Sequence, residues 1–158
     1  MNTAKPLLLN EKYPIYEITT TAEFSKHNVR AFLKQVEAHY PNFRSWLDFT
    51  FARQLTDGNR KALIVKEKNK IIGISLLKKT QMENKICTFY VAPQHRGKGI
   101  GKMLMNESLS YLKSDVHITV CEERWPEMRP FLEKYCFKLD NELPNFYRDG
   151  CTEYFCSL

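Results

Sequence analysis

The chain has 158 residues, 43% of them hydrophobic, and a formal net charge of +6, which suits one domain with a single core and an anionic ligand. No run approaches the ~18 consecutive apolar residues of a membrane-spanning helix, and the first ten residues hold too short an apolar stretch for a signal peptide. The five cysteines are irregularly spaced, so neither a disulfide framework nor a metal site is expected. We therefore predict a reduced, cytoplasmic protein with no membrane association.

The predicted elements alternate between strands and helices. A strand at 15–19 is followed by a capping box, from Thr20 to Glu23, and by one amphipathic helix whose apolar stripe repeats every three or four residues up to Tyr40. Pro41 breaks this pattern, and a second helix follows. The remaining predictions, in chain order, are strands at 62–65, 71–77 and 86–91, a helix beginning near residue 100, a strand at 115–121, a helix at about 126–135, and strands at 137–139 and 154–156.

This element order predicts an α/β fold with a mixed central sheet of about six to seven strands flanked by helices. We expect the domain to span residues 13–158 and residues 1–12 to form a flexible N-terminal arm.

A glycine-rich turn separates the strand that ends near residue 91 from the next helix. Three of the six glycines fall between Arg96 and Lys102, in the order Arg-Gly-Lys-Gly-Ile-Gly-Lys. Backbone N–H groups converge at such a turn, and the helix dipole favours negative charge. A nucleotide P-loop is excluded because its glycine spacing is one residue longer and Met103 stands where it needs Ser or Thr. The dinucleotide motif G-x-G-x-x-G is excluded too, so the turn predicts a different phosphate-bearing ligand.

Residues 91–104, Val-Ala-Pro-Gln-His-Arg-Gly-Lys-Gly-Ile-Gly-Lys-Met-Leu, resemble the acetyl-CoA-binding signature of the GCN5-related N-acetyltransferases, the GNAT family. The resemblance implies a GNAT-like acyl-CoA N-acyltransferase fold, with acetyl-CoA as co-substrate and its pyrophosphate on the amides of the turn. It also implies that a backbone amide near Phe89–Val91 polarises the acetyl carbonyl. The cofactor-binding residues implied in this way are Phe89, Tyr90, Val91, Arg96, Gly97, Lys98, Gly99, Ile100, Gly101 and Lys102.

The acid and base side chains common in that family are missing. Where many members have Tyr, Asn and Glu, this chain has Leu132, Trp125 and Lys85. Tyr135 is a candidate acid for the departing thiolate because it lies one helical turn after Leu132. Glu122 is a candidate base, or a ligand for a cationic amine, because it follows the strand at 115–121. Strand alternation predicts that only one of Glu122 and Glu123 points inward, and Glu122 is favoured.

Together these features predict an N-acetyltransferase that moves an acetyl group from acetyl-CoA to a primary amine by direct attack in a ternary complex. The acceptor is left open between a small amine, a peptide N-terminus, a lysine and an aminoacyl-tRNA, with nucleic acid otherwise not expected. A homodimer is also left open. Cys121 is interpreted as a buried, inert thiol rather than a nucleophile. The alternative function is a non-catalytic acyl-CoA-binding sensor or partner-binding module, since the usual catalytic side chains are absent.

Overall fold

The computed structural model describes residues 12–158 as a seven-stranded mixed sheet flanked by helices, which confirms the predicted fold class. Residues 1–11, where most of the predicted arm falls, lie outside the described residues. The strands are β1 (Ile15–Ile18), β2 (Arg60–Glu67), β3 (Lys70–Lys79), β4 (Asn84–Val91), β5 (Val116–Cys121), β6 (Lys138–Pro144) and β7 (Thr152–Ser157). The order across the sheet is β1-β2-β3-β4-β5-β7-β6, and every neighbouring pair is antiparallel except the parallel pair β4–β5.

The helices are α1 (Thr21–Lys26), α2 (Val29–Leu33), α3 (Phe43–Trp46), α4 (Ala52–Gln54), α5 (Ile100–Leu112) and α6 (Trp125–Lys134), and a π-helical turn, Leu47–Phe51, joins α3 to α4. Within residues 12–158 none of these helices is long and apolar enough to cross a membrane. The predicted N-cap is confirmed, because Glu23 N donates to Thr20 Oγ1 over 3.1 Å, and the Glu23 carboxylate accepts from the backbone of the preceding residue, Thr19 N, over 3.3 Å. The prediction of one helix up to Tyr40 is wrong. Asn28 takes a left-handed φ of 55°, which asparagine tolerates, and it separates α1 from α2.

The sheet separates two apolar clusters. One cluster lies against α5 and α6 and includes Leu104, Leu132 and Phe89. The other lies against α1–α4 and includes Phe51 and Tyr90. Neighbouring residues of β4 therefore point to opposite faces, as strand alternation requires.

The sheet opens between β4 and β5. These strands pair over only three residues each, 84–86 with 116–118, and β4 then continues to Val91 paired with β3 alone. A β-bulge interrupts the β3–β4 register between Leu76 and Leu77, opposite the point where β4 and β5 part. A space remains between Phe89 on β4 and Val120–Cys121 on β5, and we refer to it as the sheet gap.

Candidate active site

A groove of about 740 Å³, the glycine-turn groove, lies between the end of β4 and the helices α5 and α6. Of the ten predicted cofactor-binding residues, eight line it: Phe89, Val91, Arg96, Gly97, Gly99, Ile100, Gly101 and Lys102. Tyr90 points to the opposite face of the sheet, and Lys98 is not among the lining residues. Sequence reasoning did not single out seven other lining residues. His95 lies inside the 91–104 signature, and the other six come from farther along the chain: Asn106, Arg124, Glu127, Met128, Phe131 and Lys134.

The glycine turn presents an open backbone to this groove. Gly97 and Gly99 have φ values of 78° and 82°, a left-handed conformation that glycine adopts without strain. Apart from the adjacent residues, no atom of residues 12–158 lies within 4 Å of the place where a Cβ would be at either position. The first hydrogen bond of α5 runs from Met103 N to Gly99 O over 3.1 Å. The amides of residues 100–102 therefore have no acceptor inside the helix, which suits a bound anion.

The end of β4 directs backbone polar groups into the sheet gap. Ala92 N donates to Ile72 O over 2.8 Å, so these two residues form a hydrogen-bonded pair of the β3–β4 ladder. Alternation then turns the N–H and C=O groups of Phe89 and Val91 away from β3. Two arginine side chains donate hydrogen bonds to the carbonyl groups that face away from β3. Arg96 Nε donates to Val91 O over 3.1 Å, and Arg124 Nη1 donates to Phe89 O.

A second cavity, of about 320 Å³, lies on the other face of the sheet, and we refer to it as the aromatic cavity. Its lining consists of Tyr40, Pro41, Asn42, Phe43, Trp46, Arg60, Lys78, Glu83, Lys85, Cys87, Thr88, Thr119 and Tyr147. A third, small cavity of about 20 Å³ fills the sheet gap. It shares Phe89, Arg124 and Met128 with the glycine-turn groove, and Tyr40, Cys87, Thr88 and Thr119 with the aromatic cavity. The three spaces therefore lie in a line across the sheet, each sharing lining residues with the next.

A buried carboxyl group lies beside this line. Glu153 on β7 is 4% exposed and pairs with Cys121 of β5, which lines the gap. Its Oε1 has no hydrogen-bond partner within residues 12–158. Burial raises the pKa of Glu153 to about 7, although the Thr119 side chain opposes this shift. Burial also raises the pKa of Tyr40, and the negative charge of Glu153 adds to that rise. The site thus contains a carboxyl group that changes its charge near neutral pH.

The family model for the acetyltransferase (GNAT) domain matches residues 20–154. The chain belongs to the GNAT acetyltransferase family. No curated protein sequence matches it. Family membership confirms the resemblance noted in the sequence, and it makes the chain an N-acetyltransferase with acetyl-CoA as its co-substrate.

Solved structures of GNAT proteins share the fold at low sequence identity. A protein assigned to the family from Desulfovibrio desulfuricans has a TM-score of 0.73 and 15% identity, over 92% of this chain and 98% of that one. The ribosomal-protein-S18-alanine N-acetyltransferase of Escherichia coli has a TM-score of 0.67 and 11% identity, over 93% of each chain. A family acetyltransferase from Elizabethkingia anophelis, solved with acetyl-CoA bound, has a TM-score of 0.58 and 19% identity, over 75% of this chain and 83% of that one.

The two glutamates predicted near the acetyltransferase centre lie outside the strand. β5 ends at Cys121, and Glu122–Arg124 forms a 3₁₀ turn, so strand alternation does not extend to them. The Glu122 carboxylate is exposed and accepts a hydrogen bond from Thr152 N over 3.1 Å. Glu123 accepts one from Arg148 over 2.6 Å, and this contact holds the pKa of Glu123 at about 2.

The predicted acid lies in the glycine-turn groove. Tyr135 follows the last residue of α6, and its hydroxyl is 3.5 Å from the carbonyl oxygen of Lys102 in the first turn of α5. Its ring contacts Phe131, with 5.3 Å between centroids, and Phe131 in turn contacts Phe89. Leu132, at the family's tyrosine position, is a core residue with 2% of its surface exposed. The other two departures from the family pattern are Trp125, which stacks on Tyr154, and Lys85, which lines the aromatic cavity.

One cluster has the composition of a metal site. A ligand atom of each of His39, Cys121 and Glu123 lies within 4.8 Å of the others. Arg148 is already paired with Glu123, and burial raises the pKa of the Cys121 thiol to about 11. Both effects oppose a metal, because ligation needs a free carboxylate and a thiolate.

Proposed function

We propose that this acetyltransferase moves the acetyl group of acetyl-CoA directly onto a primary amine within a ternary complex. The observation that carries the proposal is the line of three cavities through the sheet. A donor in the glycine-turn groove and an acceptor in the aromatic cavity would meet only in the sheet gap. Positioning of two reactants in this way supplies a large part of the rate enhancement of a bimolecular reaction.

The donor side is assigned to residues already predicted from the sequence. The open amides of residues 100–102 suit the CoA pyrophosphate, and Lys102 adds positive charge beside them. The N–H groups of Phe89 and Val91 face the gap, where an acetyl carbonyl would accept a hydrogen bond. We also assign Tyr135 to this groove, because its hydroxyl lies beside the first turn of α5. Acetyl-CoA supplies the activated acyl group, and these residues bind and orient it.

Direct attack is favoured over transfer through a cysteine. Burial raises the pKa of Cys121 to about 11 and also raises the pKa of Cys87. Both thiols line the sheet gap, yet both stay protonated near neutral pH. A protonated thiol is a poor nucleophile, so neither cysteine is suited to carry the acetyl group.

For the proton acceptor, we favour Glu153 over the sequence candidate Glu122. A base works best when its pKa lies near the working pH, and the pKa of Glu153 is about 7. Glu153 is also next to Thr119 and Cys121, both of which line the gap. The Glu122 carboxylate instead caps the first backbone N–H of β7.

Family membership favours an enzyme over the non-catalytic acyl-CoA-binding module that the sequence left open. The acceptor remains a primary amine of one of the four predicted kinds. The aromatic cavity, at about 320 Å³, is near the lower end of the range for small-molecule sites and favours a small amine or the exposed end of a larger molecule.

Initial-rate kinetics with an amine panel and detection of free CoA thiol test this function. Direct attack predicts intersecting double-reciprocal lines, and Glu153→Gln should lower kcat about 100-fold and remove the rise in rate near pH 7. Glu122→Gln is the matched control, since it removes an exposed carboxylate from the same region, and it should change neither quantity. Parallel lines, or equal losses in the two variants, would contradict the proposal.

A further inference from the structure

The aromatic cavity contains a buried cation, Arg60, that has no carboxylate partner within residues 12–158. Arg60 is 6% exposed, and its guanidinium donates to Gln54 Oε1 over 2.9 Å and to Cys87 Sγ over 3.2 Å. The ring of Trp46 lies 5.7 Å from its Cζ atom. No carboxylate of the described chain lies within ion-pair distance of it. Because arginine does not deprotonate in proteins, this charge persists and is costly to bury alone.

Two lysines reinforce the positive charge of the same cavity. Lys78 Nζ lies 3.0 Å from the Glu83 carboxylate, so this pair is neutral. Lys85 has no carboxylate within 4.0 Å in the part of the chain that the structure describes. Among the described residues that line the cavity, three are cations, Arg60 included, and one is a carboxylate. Such a wall favours an anionic ligand and disfavours a polycationic amine.

We propose that the acceptor is a small amine that also carries a carboxylate or phosphate group, which Arg60 and Lys85 bind in the aromatic cavity. The inference rests on the proposed function, in which the acceptor enters from this face. The amine would reach the sheet gap at Thr119, which lines both spaces. The phosphates of CoA do not satisfy Arg60, because the glycine-turn groove opens on the opposite face of the sheet.

Binding of matched amines tests the inference without requiring turnover. Two pairs isolate the acidic group: phenethylamine with phenylalanine for a carboxylate, and ethanolamine with O-phosphoethanolamine for a phosphate. Calorimetric titrations with saturating free CoA should show at least one acidic member binding about 10-fold or more tightly than its partner, the size expected of a charge-assisted contact. If neither acidic amine binds better than its partner, the inference is wrong. The proposed function is tested by a different measurement, the release of free CoA thiol. If no amine causes thiol release, the proposed function fails, whatever the binding results are.

Amino-acid substitutions test whether the aromatic cavity causes the preference for acidic amines. Lys85→Gln should reduce the 10-fold preference to about 2-fold or less and leave the Kd of acetyl-CoA unchanged. Lys70→Gln, an exposed lysine at the start of β3, removes the same charge outside the cavity and should keep the preference. Arg60→Met should lose the preference without lowering the melting temperature, because it replaces a buried, unpaired charge with an apolar side chain. A preference that survives both cavity variants would overturn the inference.

Discussion

Replacement of Glu153 by glutamine should make the protein more stable at alkaline pH. A carboxyl group whose pKa rises from 4.5 to about 7 on folding binds its proton more tightly in the native state. The free energy of unfolding therefore falls as the pH rises from 4.5 to 7, and the whole loss is present above pH 7. Each pKa unit corresponds to about 1.4 kcal/mol, so the parent loses about 3 kcal/mol. Glutamine has nearly the same shape and cannot ionise.

The measurement is urea denaturation of the parent and Glu153→Gln between pH 5 and pH 8. The difference in unfolding free energy between the two proteins should move in favour of the variant by about 2–3 kcal/mol over this range. Glu122→Gln should show no comparable trend, because the Glu122 carboxylate is exposed. A difference between parent and Glu153→Gln that stays constant with pH would refute the reasoning. The native carboxyl would then titrate as it does in the unfolded chain, and its role as a base matched to neutral pH would lose its support.

Two further predictions concern the glycine turn and the Glu123 ion pair. Gly99→Ala should lower the unfolding free energy by about 1 kcal/mol and weaken acetyl-CoA binding in calorimetry, whereas Gly58→Ala, with a similar φ of 77° and equally open surroundings, should lose only the stability. Loss of affinity in both variants would count against the site. Arg148→Gln should raise the pKa of Glu123 from about 2 toward 4.5 in an NMR titration, with a change in stability of under about 1 kcal/mol because Glu123 is 41% exposed. An unmoved pKa would contradict the cause given for the shift.

Features that depend on short stretches of sequence could be predicted, and those that depend on distant pairing could not. The capping box at Thr20 and the glycine turn at 96–102 each lie within a few residues, so their patterns are readable. The break at Asn28, just before the apolar stripe begins at Val29, was missed because a left-handed φ at a single residue leaves no pattern in the sequence around it. Strand alternation could not predict the direction of the Glu122 side chain, because β5 ends at Cys121 and a 3₁₀ turn follows directly.

The chemistry of the acceptor side was the least accessible to sequence reasoning. Glu153 is buried through the pairing of β7 with β5, in which it lies opposite Cys121, a residue 32 positions earlier in the chain. Its one local signal among the described residues is a charged side chain in an otherwise uncharged strand, β7. Arg60 likewise becomes a cavity residue only when β2, β3 and β4 assemble beside α3. In both cases the burial that gives the residue its chemistry is a property of the assembled sheet.

The gap between β4 and β5 is also the place where the sheet has the least backbone pairing. These two strands share three residue pairs, fewer than any other neighbours, whereas β2 and β3 share eight. Backbone pairing is therefore sparsest between a half-sheet of four strands and one of three, and we expect the amides at this boundary to exchange hydrogen early. A ligand that hydrogen-bonds to Phe89 and Val91 takes the position of a missing backbone partner. A ligand in the sheet gap should therefore slow amide hydrogen exchange in both half-sheets. Binding at the reaction centre would in this way make the whole sheet more rigid.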